Sequence, residues 1–375
     1  MIFANSEDAV LQAMKELRDE RDGTAQGIIS RYPAMNRAVN KMFRPYHIYG
    51  IAGATGSMKS YLFERLNLDF TNSIIAVSKS DFTADTIKYL LDRCNFVEQG
   101  EEVILFPLNN QKIATYTCNL ELATKRQLQR RLGDIVKQGL NYMLSSKLDP
   151  ISSLVGKDIY IKVTDEELKL YEVILSQIHN PVHQKFIDKT QHLEYILNSI
   201  WEDFDNSDYD QCVLGIDHVL LLKRSEDDFS AMNNVIRDLI EFAKLGTTIF
   251  PITQFNNNYS KPDRWKNPSK HFPERDDIYM GGQFLQGVDA MFCMIQPAAY
   301  KCQLYSTAKL PTNKLLHVSN IKGREGGEGD LWFKNYIEHG EIRPCILQNF
   351  GEYSELTEIK DLYEQRKFDL ERGLY

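Results

Sequence analysis

The run Gly53-Ala54-Thr55-Gly56-Ser57-Met58-Lys59-Ser60 sets glycines, a lysine and a hydroxyl at the spacing of a phosphate-binding loop, GxxxxGK[ST], with Met58 where the last glycine is expected. In such a loop the backbone N–H groups, here running from Gly53 to Tyr61 at the start of the next helix, cradle phosphate oxygens. Lys59 would reach the β and γ oxygens and Ser60 would ligate Mg²⁺, which is the chemistry of a nucleoside triphosphate such as ATP. Such chemistry needs a second, acidic metal-binding residue. Asp217, closing the apolar run CVLGID, stands where a Walker-B aspartate holds the metal. Taken alone, the octapeptide also fits a glycine-rich turn that binds nothing.

These residues work only if a strand feeds the loop and a helix leaves it. YHIYGIAG (46–53) reads as that strand, and the helix follows with Leu62 and Leu66. SIIAVSKS (73–80) reads as a buried strand and DFTADTIKYLLDRC as a helix capped by Thr83 or Asp85, so a parallel βαβ unit is expected here. The rhythm resumes at QCVLGIDHVLLL (211–222), the helix FSAMNNVIRDLIEFAKLG and the strand TTIFPITQFN (247–256). A helix near FLQGV and strands at AMFCMIQ, LLHVSNIKG, DLWFKN and IRPCIL come later. Between 100 and 205 the pattern is mixed and helix-rich, with helices at ELATKRQLQRRLGDIVKQGLNYML and HLEYILNSIWEDF and a strand at DIYIKV. The Lys125, Arg126, Arg130, Arg131 cluster there reads as a solvated helix face or a phosphate contact. The fold class is α/β.

Composition bounds the rest. A chain of 375 residues with 43% hydrophobic and 26% charged residues can bury a large core. Its formal charge of −8 excludes a basic nucleic-acid coat, so any nucleic-acid contact must be a local patch. Six scattered cysteines with no CxxC pair argue against disulfides and structural zinc. No apolar run is long enough to span a membrane and MIFANSEDAVLQ lacks the marks of a signal peptide, so a soluble, cytoplasmic protein is expected. Residues 6–21 place Val10, Met14 and Leu17 on one helix face, and SELTEIKDLYEQRKFDLERGLY reads as a charged amphipathic helix or tail.

Five motifs, in order, resemble the RecA-like motor domain of DnaB-type hexameric replicative helicases between about Arg31 and Phe333: the lead-in and phosphate loop, IDHV (216–219), Thr253-Gln254-Phe255-Asn256, GGQFLQGVDAMFCM (281–294), and Lys322-Gly323-Arg324 with its glycine turn. The resemblance implies a RecA-like P-loop ATPase core, 25–350, with a central mainly parallel sheet, a helix-rich insertion within about 100–205, an N-terminal linker helix in 1–24 that docks on a neighbouring subunit, and a helix or tail over 351–375. It implies ATP and Mg²⁺ as ligands, a homohexameric ring moving 5′ to 3′ on single-stranded DNA, and a primase or helicase loader as partner. Gln254 would be the sensor linking the γ-phosphate to the DNA loop, and Lys322 and Arg324 would reach a neighbour's nucleotide, Arg324 as arginine finger. The loop after Gln254 carries Lys261, Arg264, Lys266, Lys270 and Arg275 with Tyr259 and Trp265 interleaved, a composition suited to single-strand binding.

One departure bears on the chemistry. The family's water-activating glutamate follows the strand after Walker A, and Ser80 holds that position here, with Asp81 one residue along as the stand-in base. A slow or defective ATPase is therefore expected. A recombinase-like filament ATPase, a packaging motor and a catalytically weak scaffold subunit are the rival readings.

Overall fold

The computed structural model describes residues 6–22, 25–71, 73–121, 123–144, 163–178, 184–187, 189–222, 228–279, 281–349 and 354–372. Its strands are β1 Tyr49–Gly53, β2 Ile75–Ser78, β3 Val97–Gln99, β4 Glu102–Leu105, β5 Ile113–Asn119, β6 Gln184–Ile187, β7 Gln211–Asp217, β8 Thr247–Ile252, β9 Ala290–Ile295, β10 Leu304–Tyr305, β11 Leu310–Pro311, β12 Leu315–Gly323, β13 Gly329–Tyr336, β14 Glu341–Asn349 and β15 Ser354–Glu358. Six helices recur below: α1 Ser6–Asp22, α2 Pro33–Ala38, α3 Lys59–Phe70, α4 Ala84–Arg93, α5 Thr124–Ile135 and α6 Leu140–Met143.

Ten strands form the main sheet in the order β15-β14-β13-β12-β9-β1-β8-β7-β5-β6. From β9 to β6 every pair is parallel, and from β9 to β15 every pair is antiparallel. The parallel strands are buried on both faces, which is why they read as apolar runs. Period-two alternation assigns the faces. In β9, Met291, Cys293 and Ile295 join one core while Ala290, Phe292 and Met294 join the other; β7 divides in the same way, with Leu214 and Ile216 opposite Val213. The first core takes helices Leu193–Asp205, Asp228–Ala243 and Gly281–Gly287, and the second takes α3 and the lead-in to β1. Gly215 permits the closest contact, since a Cβ there would lie 1.6 Å from the Phe63 ring of α3.

The expected parallel βαβ unit at 46–94 does not form. β2 is a strand, but it pairs antiparallel with β4 in a separate three-stranded sheet, β2-β4-β3. The strand that continues the main sheet is β5, which the sequence reading left inside the mixed region. β2 and α4 pack with the far end of α3, with Leu132 and Ile135 of α5 and with helix Asp165–Ile178 around a third core. This small module begins upstream of residue 100, where the sequence reading placed the start of the insertion. The single long helix expected at 121–144 is two, α5 and the one-turn α6, and most of the candidate strand DIYIKV lies outside the described residues.

Two terminal segments differ in how they pack. In α1, Val10, Leu11, Met14 and Leu17 are all exposed. The C-terminal segment is integrated: β15 edges the main sheet, and helix Leu362–Glu371 opens on a capping box between Asp361 and Glu364. That helix buries Tyr363 under Arg31, whose guanidinium lies 5.0 Å from the ring centroid. Arg31 in turn pairs with Asp69 of α3 and Asp134 of α5, both at 2.7 Å, so one buried ion network ties lead-in, loop helix and C-terminus together. All six cysteines are free. No described helix is long and apolar enough to cross a membrane.

Candidate functional site

β1 ends at Gly53, and the chain turns through Ala54–Met58 into α3. A Cβ on Gly53 would lie 2.3 Å from Ser57 Oγ and 2.7 Å from the Met294 carbonyl, so only glycine fits there. Met58, in the place of the motif's last glycine, adopts φ 71°, ψ 18°, the left-handed conformation glycine would take without cost. Its side chain offsets part of that cost by packing against the second core. Met58 caps α3 without a side-chain hydrogen bond, so the first-turn amides point out of the helix end with no intrahelical partner. The loop thus keeps the donors that an anion needs.

Lys59 Nζ folds over the loop and donates to the Gly53 and Ala54 carbonyls, each at 3.0 Å. Burial pushes its ammonium below the usual lysine range, opposed by Asp217 and Glu121. Asp217, at the end of β7, is 1% exposed. Burial raises its carboxyl to about 6 against a hydrogen bond from Ser60; Glu121 adds to the rise and Lys59 opposes it. Asp217 Oδ2 accepts from Asn119 Nδ2 at 3.4 Å, while Oδ1 is buried with no hydrogen-bond partner among the described residues. An orphaned carboxylate oxygen beside a hydroxyl suits one divalent cation completed by phosphate and water. No three His, Cys, Asp or Glu side chains converge to cage a metal among the described residues.

Asp81 is not part of this arrangement. It sits in a solvent-exposed turn after β2, its carboxylate 3.8 Å from Lys169. The carboxylate that faces the loop is Glu121, two residues past the end of β5. Asn119 lies in register with Asp217, Leu120 donates its N–H to the Asp217 carbonyl at 2.7 Å, and Glu121 Oε1 lies 2.9 Å from His218 Nε2. Gln254 arrives from the other side: Thr253 and Phe255 donate their N–H groups to Ile51 and Gly53 at 2.8 and 3.2 Å, which holds Gln254 beside the root of the loop. Thr55–Tyr61, Glu121, His218 and Gln254 line one cleft of about 1230 Å³ at the C-terminal edge of the parallel strands, where open α/β sheets bind ligands. Arg130 of α5 and the turn Ile337–Gly340 form a further wall.

Lys322 and Arg324 lie elsewhere. Gly323 is in register with Ala290, and Ala290 with Tyr49, so Arg324 stands at the opposite end of β1 from Gly53, about 13 Å of strand away. Its guanidinium donates to Asp289 Oδ1 at 2.8 Å and to the Gln286 carbonyl at 3.0 Å, and remains half exposed. Lys322 donates to the Leu285 carbonyl, and burial lowers its ammonium, with Arg324 adding to the effect.

The candidate DNA loop divides. Arg264 is not a free surface cation: it grips Asp277 through two hydrogen bonds of 2.7 Å and lies 4.6 Å over the Tyr259 ring. Trp265 stacks on Tyr300 at 3.9 Å and Tyr259 is fully buried, so neither ring is open to a base. Lys261, Lys266, Lys270 and Arg275 remain at the surface, Lys266 beside Asp263 and Arg275 beside Glu328.

Two solved structures share the fold. One is an ATPase domain, which superposes with a TM-score of 0.62 at 15% identity over 91% of this chain and 98% of that chain. The other, "The Structure Of A DnaB-Like Replicative Helicase And Its Interactions With Primase", gives 0.61 at 15% identity over 91% of this chain and 67% of that chain. No protein-family model and no curated protein matches the sequence. The chain therefore shares its fold with an ATPase domain and with a DnaB-like replicative helicase.

Proposed function

We propose that this chain is an ATP-driven DNA helicase motor that works as a homo-oligomeric ring, a hexamer, and moves on single-stranded DNA. The observation that carries the reading is the convergence of Lys59, Ser60, Glu121 and Gln254 on one cleft around an open helix N-terminus, with the buried Asp217 carboxyl beside Ser60. The α3 amides and Lys59 would bind the triphosphate, and Glu121 would orient and deprotonate the attacking water. Ser60 and Asp217 would hold Mg²⁺, which when bound neutralises charge developing on the phosphates. Gln254 is the contact from the γ-phosphate to the loop bearing Lys261, Lys266, Lys270 and Arg275.

Assembly completes the site. Arg324 lies too far from its own loop to serve it and suits a neighbour's nucleotide, with Lys322 beside it. The exposed apolar stripe of α1 is the surface we assign to docking on the adjacent subunit. A primase or helicase loader is the protein partner this reading implies. A non-hydrolysing scaffold subunit is the second reading, and it rests on Met58; Glu121 supplies the carboxylate that residue 80 lacks. The test is ATP hydrolysis by the wild type, Lys59→Ala and Arg324→Ala, with and without single-stranded DNA, alongside sizing and a forked-duplex unwinding assay. DNA-stimulated turnover in a ring-sized species, lost in both variants, supports the motor. Nucleotide binding without turnover above the Lys59→Ala background favours the scaffold.

A further inference from the structure

We infer that His218 is a positioning residue for Glu121, an inference that rests on the hydrolytic reading of the cleft. His218 follows Asp217 off the end of β7 and is 7% exposed. Its ring is fixed through both nitrogens. The Leu220 N–H donates to Nδ1 at 3.3 Å, so Nδ1 is the unprotonated nitrogen and Nε2 carries the hydrogen. Nε2 lies 2.9 Å from Glu121 Oε1, within ion-pair distance. With Nδ1 accepting and Nε2 bearing the hydrogen, the ring has no lone pair left for a metal, and its N–H side meets a carboxylate. His218 therefore acts through Glu121.

The consequence for Glu121 is geometric. Its side chain is exposed and rises from a short stretch past β5, anchored by its backbone N–H donating to Asn119 Oδ1 at 3.1 Å. Left to itself, a glutamate in such a place samples several rotamers. Contact with a buried ring holds Oε1 and leaves Oε2 as the oxygen that accepts from water, already oriented before substrate arrives. Because His218 directly follows Asp217 at the end of β7, the base and the metal-binding acid are set by one strand end. Three links tie that strand end to β5: Leu120 N–H to the Asp217 carbonyl, Asn119 Nδ2 to Asp217 Oδ2, and His218 Nε2 to Glu121.

The experiment compares His218→Phe, His218→Gln, Glu121→Gln and the double variant His218→Phe/Glu121→Gln in the full chain, reading kcat, KM and ATP affinity. His218→Phe should lower kcat about 10- to 100-fold with KM and nucleotide affinity nearly unchanged. His218→Gln, which returns an N–H near the Nε2 position, should recover most of that loss. On top of Glu121→Gln, His218→Phe should cost nothing further, as expected for two groups acting as one. If the Phe variant does not fold, His218→Ala assayed with and without added imidazole gives the same comparison. Full turnover by His218→Phe, a parallel loss of affinity, no recovery in His218→Gln, or a loss that adds to Glu121→Gln would each overturn the inference. Wild-type turnover by Glu121→Gln itself would instead remove the hydrolytic reading beneath it.

Discussion

Glu121 and Asp217 rise from neighbouring parallel strands held in register, with Leu120 donating its N–H to the Asp217 carbonyl at 2.7 Å. That pairing sets a base candidate beside the acid proposed to bind the metal, and Asp81 has no part in it. Glu121→Gln should cut steady-state ATP hydrolysis by about 10²- to 10⁴-fold while nucleotide still binds. Asp81→Ala should turn over like the wild type. The reverse ranking in a hydrolysis assay would return the base to the small sheet.

Met58 lets a left-handed position be tested without touching a ligand. Glycine there would relieve backbone strain of about 1–2 kcal/mol and lose the contact of the Met58 side chain with the core, two terms of similar size and opposite sign. Met58→Gly should therefore keep its unfolding midpoint near the wild type and keep nucleotide binding. Met58→Val, β-branched at φ 71°, has no such relief and should lose about 1–2 kcal/mol together with nucleotide affinity. Chemical denaturation and nucleotide titration of both variants measure it.

What the sequence conveyed follows from which signals are local. The loop, β7 to β8 and the strands β9, β12, β13 and β14 were legible because glycines, a lysine and apolar runs carry their meaning within a few residues. Glu121 was not, for two reasons. SIIAVS reads as the strand next after the loop while IATYTC falls within the mixed stretch, and periodicity does not say which segment joins the main sheet; pairing with β7 decides that at long range. β5 is also disguised by polar residues, such as the buried Thr117, which accepts from Asn67 of α3 at 3.0 Å. The loop after Gln254 misled in the opposite direction, since Arg264 and Trp265 look like DNA contacts until Asp277 and Tyr300 fold against them.

Asp217 gives a pH dependence with a definite sign. Its folded carboxyl titrates near 6, above the unfolded value of 3.8, so the ionised form is the disfavoured one in the fold. Above pH 6 the wild type therefore bears an electrostatic cost on the order of 3 kcal/mol, relieved as pH falls from 6 towards 4. Asp217→Asn should be more stable than the wild type at pH 7.5 by about that amount and lose the advantage by pH 4, while Mg²⁺-dependent turnover is abolished. Denaturation of both proteins across this range, without nucleotide, checks the sign.

The cations of the 261–275 loop should separate into two phenotypes. Arg264→Ala leaves the buried Asp277 carboxylate without its cation and should cost about 2–4 kcal/mol of stability. Lys261→Ala, Lys266→Ala and Lys270→Ala should melt like the wild type, weaken single-stranded DNA binding and reduce its salt slope by about one per charge removed. Fluorescence-anisotropy titrations at several salt concentrations read the second effect, and a stable Arg264→Ala protein would contradict the first.

Arg324 and Lys59 stand at opposite ends of the same sheet, so no single chain can bring them together, and variants should complement in mixtures. Lys59→Ala alone lacks a working loop, and Arg324→Ala alone lacks the donor for its neighbour. In a ring built from equal amounts of both, a loop from an Arg324→Ala subunit faces the intact arginine of a Lys59→Ala subunit at about a quarter of the interfaces. Unfolded and reassembled together, the two inactive proteins should regain hydrolysis on that scale. Recovery needs exchange of subunits, so a mixture assembled separately and then combined at once is the control that stays inactive. A mixture that remains inactive after proven exchange would place Arg324 outside the catalytic machinery, held for structure by Asp289 and the Gln286 carbonyl.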